Sequence, residues 1–317
     1  MPRPTLIDIS RQRADDMIVT LLDEVALVVP EIRVITAEIL KKGQTEFTSL
    51  TRTKRHAAPF RTFNSGLEGT RSGYENRKHS CALLTPRFET DKALASLHPR
   101  GVAGGLSVNG LEVMTDSMAW LAAAFWYGKE LVADAFPGVR QICPDSMVVD
   151  CGGNGAATYS EAYMIHIGPM GSEWVYGDGG GFTMGDPREE TLLDASGKPY
   201  DGYVMSGQGF IGAMHRSPVT MVRIKGITDA NPLTDAKLLE AYRKFRPGRL
   251  PNAIFTTMHG VGTLTASRAT PEVKAPPLAT DYNRIPIYMT EAIFTGASVD
   301  ALPDFSTEVA LKFKGET

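Results

Sequence analysis

Six histidines, three cysteines and one group of acids are the side chains of this chain equipped for chemistry, and their spacing decides whether they perform it. His56, His79, His98, His166, His215 and His259 are scattered singly. None pairs at four-residue spacing and neither HExxH nor CxxC accompanies them, so no zinc site is expected. Cys81, Cys143 and Cys151 leave an odd count without CxxC spacing, which argues against a disulfide framework and for a reducing compartment. Cys81 sits on an apolar run, as a small core residue would. Asp178, Asp186, Glu189 and Glu190 could offer oxygens to a hard cation, but they lack the alternating acids and closing Glu of a calcium loop. A solvated acidic edge, or a docking face for cations, fits them better. No GxSxG elbow is present. The runs Gly177-Asp-Gly-Gly-Gly181 and Gly152-Gly-Asn-Gly155 invite a phosphate or dinucleotide reading. Neither is followed by a helical pattern that would aim an N-terminus at a phosphate, so both are expected to be turns. No catalytic residue, cofactor or metal is therefore expected.

Charge is the more telling chemistry. The chain of 317 residues carries a net charge of -3, yet residues 45–88 hold eight Lys/Arg against three Asp/Glu. Residues 1–44 are nearly balanced, so the acidic excess falls on the rest of the body. Arg52, Lys54 and Arg55 lie close together, followed by Arg61, Arg71 and Arg77, with Phe60, Phe63 and Tyr74 between them. Such an arm has too little apolar material to bury itself and needs a partner surface. A second copy of the same chain supplies the opposite charge, with Glu189 and Glu190 as candidate contacts. No nucleic-acid-binding module is recognisable in the arm.

The elements that would position these residues follow from periodicity. Residues 8–28 repeat Met17, Leu21 and Val25 at helical spacing, with Asp8 or Ser10 as caps and Pro30 as the stop. Ile32 to Leu40 reads as extended. Glu46 to Arg52 alternates as a strand with Phe47, Ser49 and Thr51 on one face. Tyr74 to Leu84 is its expected hairpin partner across a long tip around Asn64 to Gly73. Phe88 to Leu97 reads as a short helix ended by Pro99. After a break at Gly101, Gly104 and Gly105, a helix from Asn109 to Gly128 carries Leu111, Met114, Met118, Leu121 and Phe125 as a buried stripe. Short strands are expected at Val148–Asp150, Ala162–Ile167, Glu173–Tyr176, Tyr203–Val204 and Val219–Ile227, with turns at Ser196-Gly197 and Asp201-Gly202. Thr234 should cap a helix bearing Leu238, Leu239, Tyr242 and Phe245. A strand at Ala253–Thr257, a helix at Met258–Arg268 and a strand at Ile285–Met289 complete the reading. The fold class is α+β.

Hydrophobic content of 43% and charged content of 22% are those of a globular protein. The N-terminus lacks the apolar core of a signal peptide, and no run approaches the ~20 apolar residues of a membrane span, so synthesis in the cytoplasm and no membrane partner are expected.

In order along the chain, Phe63-Asn64 through Leu84 (with Tyr74-Glu-Asn-Arg77), Asp91-Lys-Ala93, Trp126-Tyr-Gly128 and Pro137-Gly138 come first. Asp145-Ser-Met-Val-Val-Asp150, Trp174-Val-Tyr-Gly177, Asp186-Pro-Arg-Glu-Glu190 and Ile285-Pro-Ile-Tyr288 follow. This succession resembles the major capsid protein of tailed bacteriophages, the Hong-Kong-97-type fold. The resemblance implies an N-terminal arm at 1–44, an extended loop at 45–86, a peripheral domain at 87–135 and 283–317, and an axial domain at 136–282. It implies self-assembly into hexamers and pentamers of an icosahedral head around double-stranded DNA, and a place in the virion. Scaffold, portal and decoration proteins and a weak, salt-sensitive contact with packaged DNA are the further partners it implies. No room is seen for a scaffolding segment ahead of the arm, and Lys54 and Lys78 have no identifiable acceptor for a covalent crosslink. The alternatives are a non-viral encapsulating shell of the same fold and an α/β enzyme with a dispersed acidic site.

Overall fold

The structure is a computed structural model that describes residues 29–54, 60–66, 69, 71, 73–99, 101–153, 159–180, 182–194, 196–269 and 276–294. The helix read at 8–28 and Arg55 lie outside the described residues.

The chain enters through a single helical turn, α1 (Glu31–Val34), and a short strand, β1 (Ala37–Ile39). The sequence reading made Ile32 to Leu40 extended throughout. Pro30 instead occupies the N-cap position with φ -63°, an angle suited to starting a helix, and acidic Glu31 follows in the first turn. Next comes the expected hairpin of β2 (Glu46–Lys54) and β3 (Gly73–Ser80), paired antiparallel from Glu46↔Ser80 outward. β4 (Ala82–Leu84) and β5 (Arg87–Asp91) lead to the short helix α2 (Lys92–Leu97). Here a second expectation is corrected, since Phe88 belongs to a strand. Phe88 and Thr90 are buried while Arg87, Glu89 and Asp91 are exposed, a period of two, and Asp91 then accepts from Ala93 N at 2.7 Å to start the helix.

The long helix α3 runs Gly101–Tyr127, 27 residues or about 40 Å at 1.5 Å per residue. Met114, Met118, Leu121 and Phe125 are buried along it, as the stripe predicts. The glycines taken for a break belong to the helix: Gly101 opens it at φ +70°, and Gly105 lets a neighbour approach. A Cβ at Gly105 would stand 3.3 Å from Ala95 Cα, and one at Gly110 would stand 3.0 Å from the Phe88 ring. The helix stops at Gly128, whose φ of +56° no branched residue favours. A Cβ there would come within 2.1 Å of Gly138 N, so the two glycines press backbone to backbone.

Two sheets form the body. The first has seven strands organised on β11 (Pro199–His215), a 17-residue ribbon of which the sequence reading found only Tyr203–Val204. β10 (Arg188–Leu193), β9 (Phe182–Met184) and β8 (Ser172–Tyr176) pair with β11, as do β4 and β5, and β1 adds to β8 in parallel. The second sheet has six strands in the order β14-β15-β13-β7-β12-β6, comprising β6 (Val148–Asp150), β7 (Ser160–Ile165), β12 (Met221–Ile227), β13 (Ala253–Thr256), β14 (Asp281–Tyr282) and β15 (Ile285–Met289). Both its faces are covered. Tyr163, Ile165 and Phe255 face α3 with Trp126 and Trp174, while Met164, Ile254 and Ile224 face Leu238, Val261 and Leu264. The latter three lie on α5 (Asp235–Arg243) and α6 (Met258–Ser267). Both helices start on threonine caps: Thr234 accepts from Lys237 N and Thr257 from Gly260 N. A short turn of helix, α4 (Val139–Ile142), follows α3.

Candidate assembly surface

The β2–β3 hairpin is anchored at one end and bare at the other. At its base Phe47 is buried against Val175 and Met214, and its ring stacks on His79 with centroids 5.2 Å apart. Ser49 Oγ lies 3.2 Å from His79 Nε2. Burial and the neighbouring Arg77 charge depress the His79 pKa, so this base is a neutral, packed hinge. His215 beneath it is partly buried, and its pKa is lowered to about 3 by desolvation first and by His79 second. Burial also pushes the Cys81 thiol up to about 11, leaving it protonated at neutral pH.

Beyond the base the apolar surface has no cover among the described residues. Leu50 is 63% exposed, Tyr74 60%, and Phe60 and Phe63 are fully exposed. The tip holds its own shape: Asn64 adopts φ 62°, Ser65 Oγ donates to Thr62 O at 2.8 Å, and Arg61 Nη1 donates to Ser65 O at 3.2 Å. Arg52 and Lys54 sit on distal β2, opposite Tyr74 and Gly73, with a bulge between them. Arg71 is exposed, and Arg77 lies 3.6 Å from Glu75 on the same strand.

Glu189 and Glu190 lie on β10. Glu189 accepts from Lys92 Nζ at 2.8 Å and Tyr203 OH at 3.2 Å, and these bonds hold its carboxyl below the ordinary range. Glu190 stands 3.7 Å from Arg188 and 3.9 Å from Arg87. Within one subunit these acids thus meet cations of β5, α2 and β10. Among the described side chains, none of the hairpin cations reaches them.

The glycine-rich run is a turn over residues 177–180, with Asp178, Gly179 and Gly180 at positive φ of 49°, 80° and 76°. It clamps the incoming arm. Asp178 Oδ1 accepts from Gly43 N at 2.8 Å, and a Cβ on Gly180 would strike Ile39 at 2.7 Å.

Three buried acids escaped the sequence reading. Glu31 accepts from Trp126 Nε1 at 2.7 Å and Thr290 Oγ1 at 2.9 Å, joining α1, α3 and the residue that follows β15. Glu161 binds Arg223 and the Tyr163 hydroxyl, and Glu173 accepts from Thr36 Oγ1 at 3.2 Å, 3.8 Å from Arg216. The available signal was an acid inside an apolar run, Ser-Glu-Ala-Tyr-Met-Ile and Ser-Glu-Trp-Val-Tyr. Among the described residues, no group of three or more His, Cys, Asp or Glu is placed to hold a metal ion, and no helix is long and apolar enough to cross a membrane.

The family model for major capsid protein GP7 matches residues 11–246. No curated protein matches the sequence. Among solved structures, a chain of bacteriophage Epsilon15 superposes with a TM-score of 0.58 at 17% identity, covering 94% of this chain and 98% of that one. The capsid of bacteriophage JBD30 decorated with minor capsid protein trimers gives 0.50 at 10% identity, with 85% and 90% covered. At such identities the likeness is one of fold.

Proposed function

Because the chain belongs to the major capsid protein GP7 family, its role is that of a structural subunit of a phage capsid with the Hong-Kong-97-type fold, and we propose that it closes its icosahedral shell as hexamers and pentamers around double-stranded DNA. The observation that supports the mode of assembly is the hairpin, whose base is packed on its own body while Phe60 and Phe63 at the tip stand fully exposed. Burying a phenylalanine contributes roughly 1.5–3 kcal/mol. Only a neighbouring copy offers that burial, and symmetry repeats the contact at every subunit.

Residues 1–44 then serve as the arm, 45–86 as the extended loop, 87–135 and 283–317 as the peripheral domain and 136–282 as the axial domain. Arg52, Lys54, Arg55, Arg61, Arg71 and Arg77 are the cations this reading sends to a neighbour, with Glu189 and Glu190 as receiving carboxylates. Both acids remain accessible, at 59% and 40% side-chain exposure, so a cross-subunit contact extends their existing pairs instead of replacing them. The reading gives the chain no catalytic activity. It expects synthesis in the host cytoplasm, and scaffold, portal and decoration proteins as partners. Family membership does not favour a non-viral shell or an enzyme with a dispersed acidic site.

Electron microscopy of the expressed chain tests this. Closed shells or rings of five and six subunits are expected. A discrete small oligomer that never yields rings would overturn it.

A further inference from the structure

Residues 241–271 contain five Lys/Arg and no Asp or Glu, in a chain whose net charge is -3. Four of the five, Arg243, Lys244, Arg246 and Arg249, fall within seven residues at the end of α5. The acids of α5 are already taken. Asp235 receives Arg268 Nη2 at 2.7 Å, and Glu240 receives Lys237 Nζ at 3.1 Å. Lys244 Nζ donates to Ser146 O at 2.9 Å. The guanidinium groups of Arg243, Arg246 and Arg249 have no hydrogen bond or ion pair among the described residues, whereas exposed Arg87 and Lys92 and half-buried Arg268 are each matched by a carboxylate within 2.8 Å.

The helix dipole accounts for cations in the last turn, which covers Arg243 and Lys244. It does not cover Arg246 and Arg249, which lie past the helix end. Their turn is nevertheless held firmly. Phe245 is buried in the core, Gly248 takes φ +84°, and Arg249 N donates to Arg246 O at 3.0 Å. His166 Nδ1 donates to Leu250 O at 2.6 Å just beyond.

We propose that this 243–249 turn is a phosphate-contact platform for the nucleic acid that the shell encloses, a partner site that rests on the capsid reading. Three of its four cations are arginines, whose planar fork fits a phosphate in two-point contact. The turn presents no exposed aromatic for base stacking, since Phe245 faces inward, so the contact is to the duplex backbone and is indifferent to sequence. An acidic protein surface is a poorer match, because the assembly reading already gives Glu189 and Glu190 of a neighbouring copy to the hairpin cations, and Glu240 is engaged by Lys237. Repetition over a shell lets individually weak contacts hold a polymer.

The test is binding of a fluorescent DNA duplex of about 30 base pairs to the full chain, by anisotropy, from about 50 to about 200 mM salt. Each phosphate contact contributes about 0.9 to the slope of log affinity against log salt. Losing three in R243Q/R246Q/R249Q should flatten the slope by about 2.7, close to a 40-fold difference over that range. The charge-preserving R243K/R246K/R249K should keep the wild-type slope, which separates charge loss from misfolding. Labelled poly-glutamate, run in parallel, should bind both proteins alike. Equal DNA slopes for wild type and the glutamine variant would overturn the proposal. So would poly-glutamate binding that falls in step with DNA binding, which would assign the patch to an acidic protein surface. Shell formation scored by microscopy on the same samples tests the capsid reading separately: absent shells sink that reading whatever the slopes show.

Discussion

Glu31 is a fully buried carboxyl whose two side-chain partners, Trp126 and Thr290, are neutral. Burial pushes its pKa up to about 7 from 4.5, with the Thr290 and Trp126 bonds pulling the other way. The folded chain therefore binds more protons than the unfolded one between those values. The stability this group contributes is fully present below about pH 4.5 and is lost as pH rises through 7. The displacement corresponds to on the order of 3 kcal/mol. Glu31→Gln keeps an acceptor for the indole and a partner for the Thr290 hydroxyl, which can donate or accept. Denaturant midpoints of the unassembled subunit at about pH 5 and about pH 8 should converge in this variant, and an unchanged gap would show that Glu31 ionises freely. Met118, 3% exposed on α3, makes the opposite case. Met118→Asp buries an unpaired charge at a cost of several kcal/mol. Loss of soluble, folded protein is expected, and normal yield with a native circular dichroism spectrum would move this face of the helix to solvent.

At the scale of elements, α3 is built into the core while the hairpin is packed only at its base. The hairpin contributes little to its own subunit beyond Phe47 at its base, since Leu50, Phe60, Phe63 and Tyr74 are exposed. Phe60→Ser with Phe63→Ser should leave the thermal melting of the free subunit within about 2 °C of wild type, because surface changes lie within ~0.5 kcal/mol. The same pair should reduce shell yield severely by sedimentation. Wild-type yield would mean that the tip is solvent-facing in the shell. The hairpin was legible because β2 alternates Phe47 and Ser49 inward with Leu50 outward over adjacent residues. The start of α3 was not, because Gly105 answers to Ala95, and a glycine used for close packing looks in sequence like a glycine used as a breaker.

At the scale of the whole molecule, two cationic regions stand out, the hairpin and the 243–249 turn. Exposed pairs contribute only ~0–1 kcal/mol each, but a shell repeats every one of them. Reversing Arg52, Lys54 and Arg55 to Glu should leave the subunit folded and impair assembly, and raised salt should weaken wild-type assembly in the same direction. Circular dichroism reads the first outcome and sedimentation the second. Shells at wild-type yield from the triple variant would remove electrostatic docking by the hairpin while leaving the capsid role intact.

The sequence by itself determined the elements whose signals are local. Thr234 capping α5, the Met114–Met118–Leu121–Phe125 stripe and the β2–β3 pairing all lie in residues near one another along the chain. It also determined that residues 45–88 carry a cationic excess. Only the tertiary structure decided that Tyr203–Val204 belongs to a 17-residue ribbon binding five other strands, or that Glu31, Glu161 and Glu173 are core residues. Nor could the chain announce which exposed cations stay unmatched. A strand's length is set by the partners that satisfy its backbone, and a buried acid is tolerated only where distant donors meet it. For Glu31 those donors are 95 and 259 residues away, beyond any local pattern.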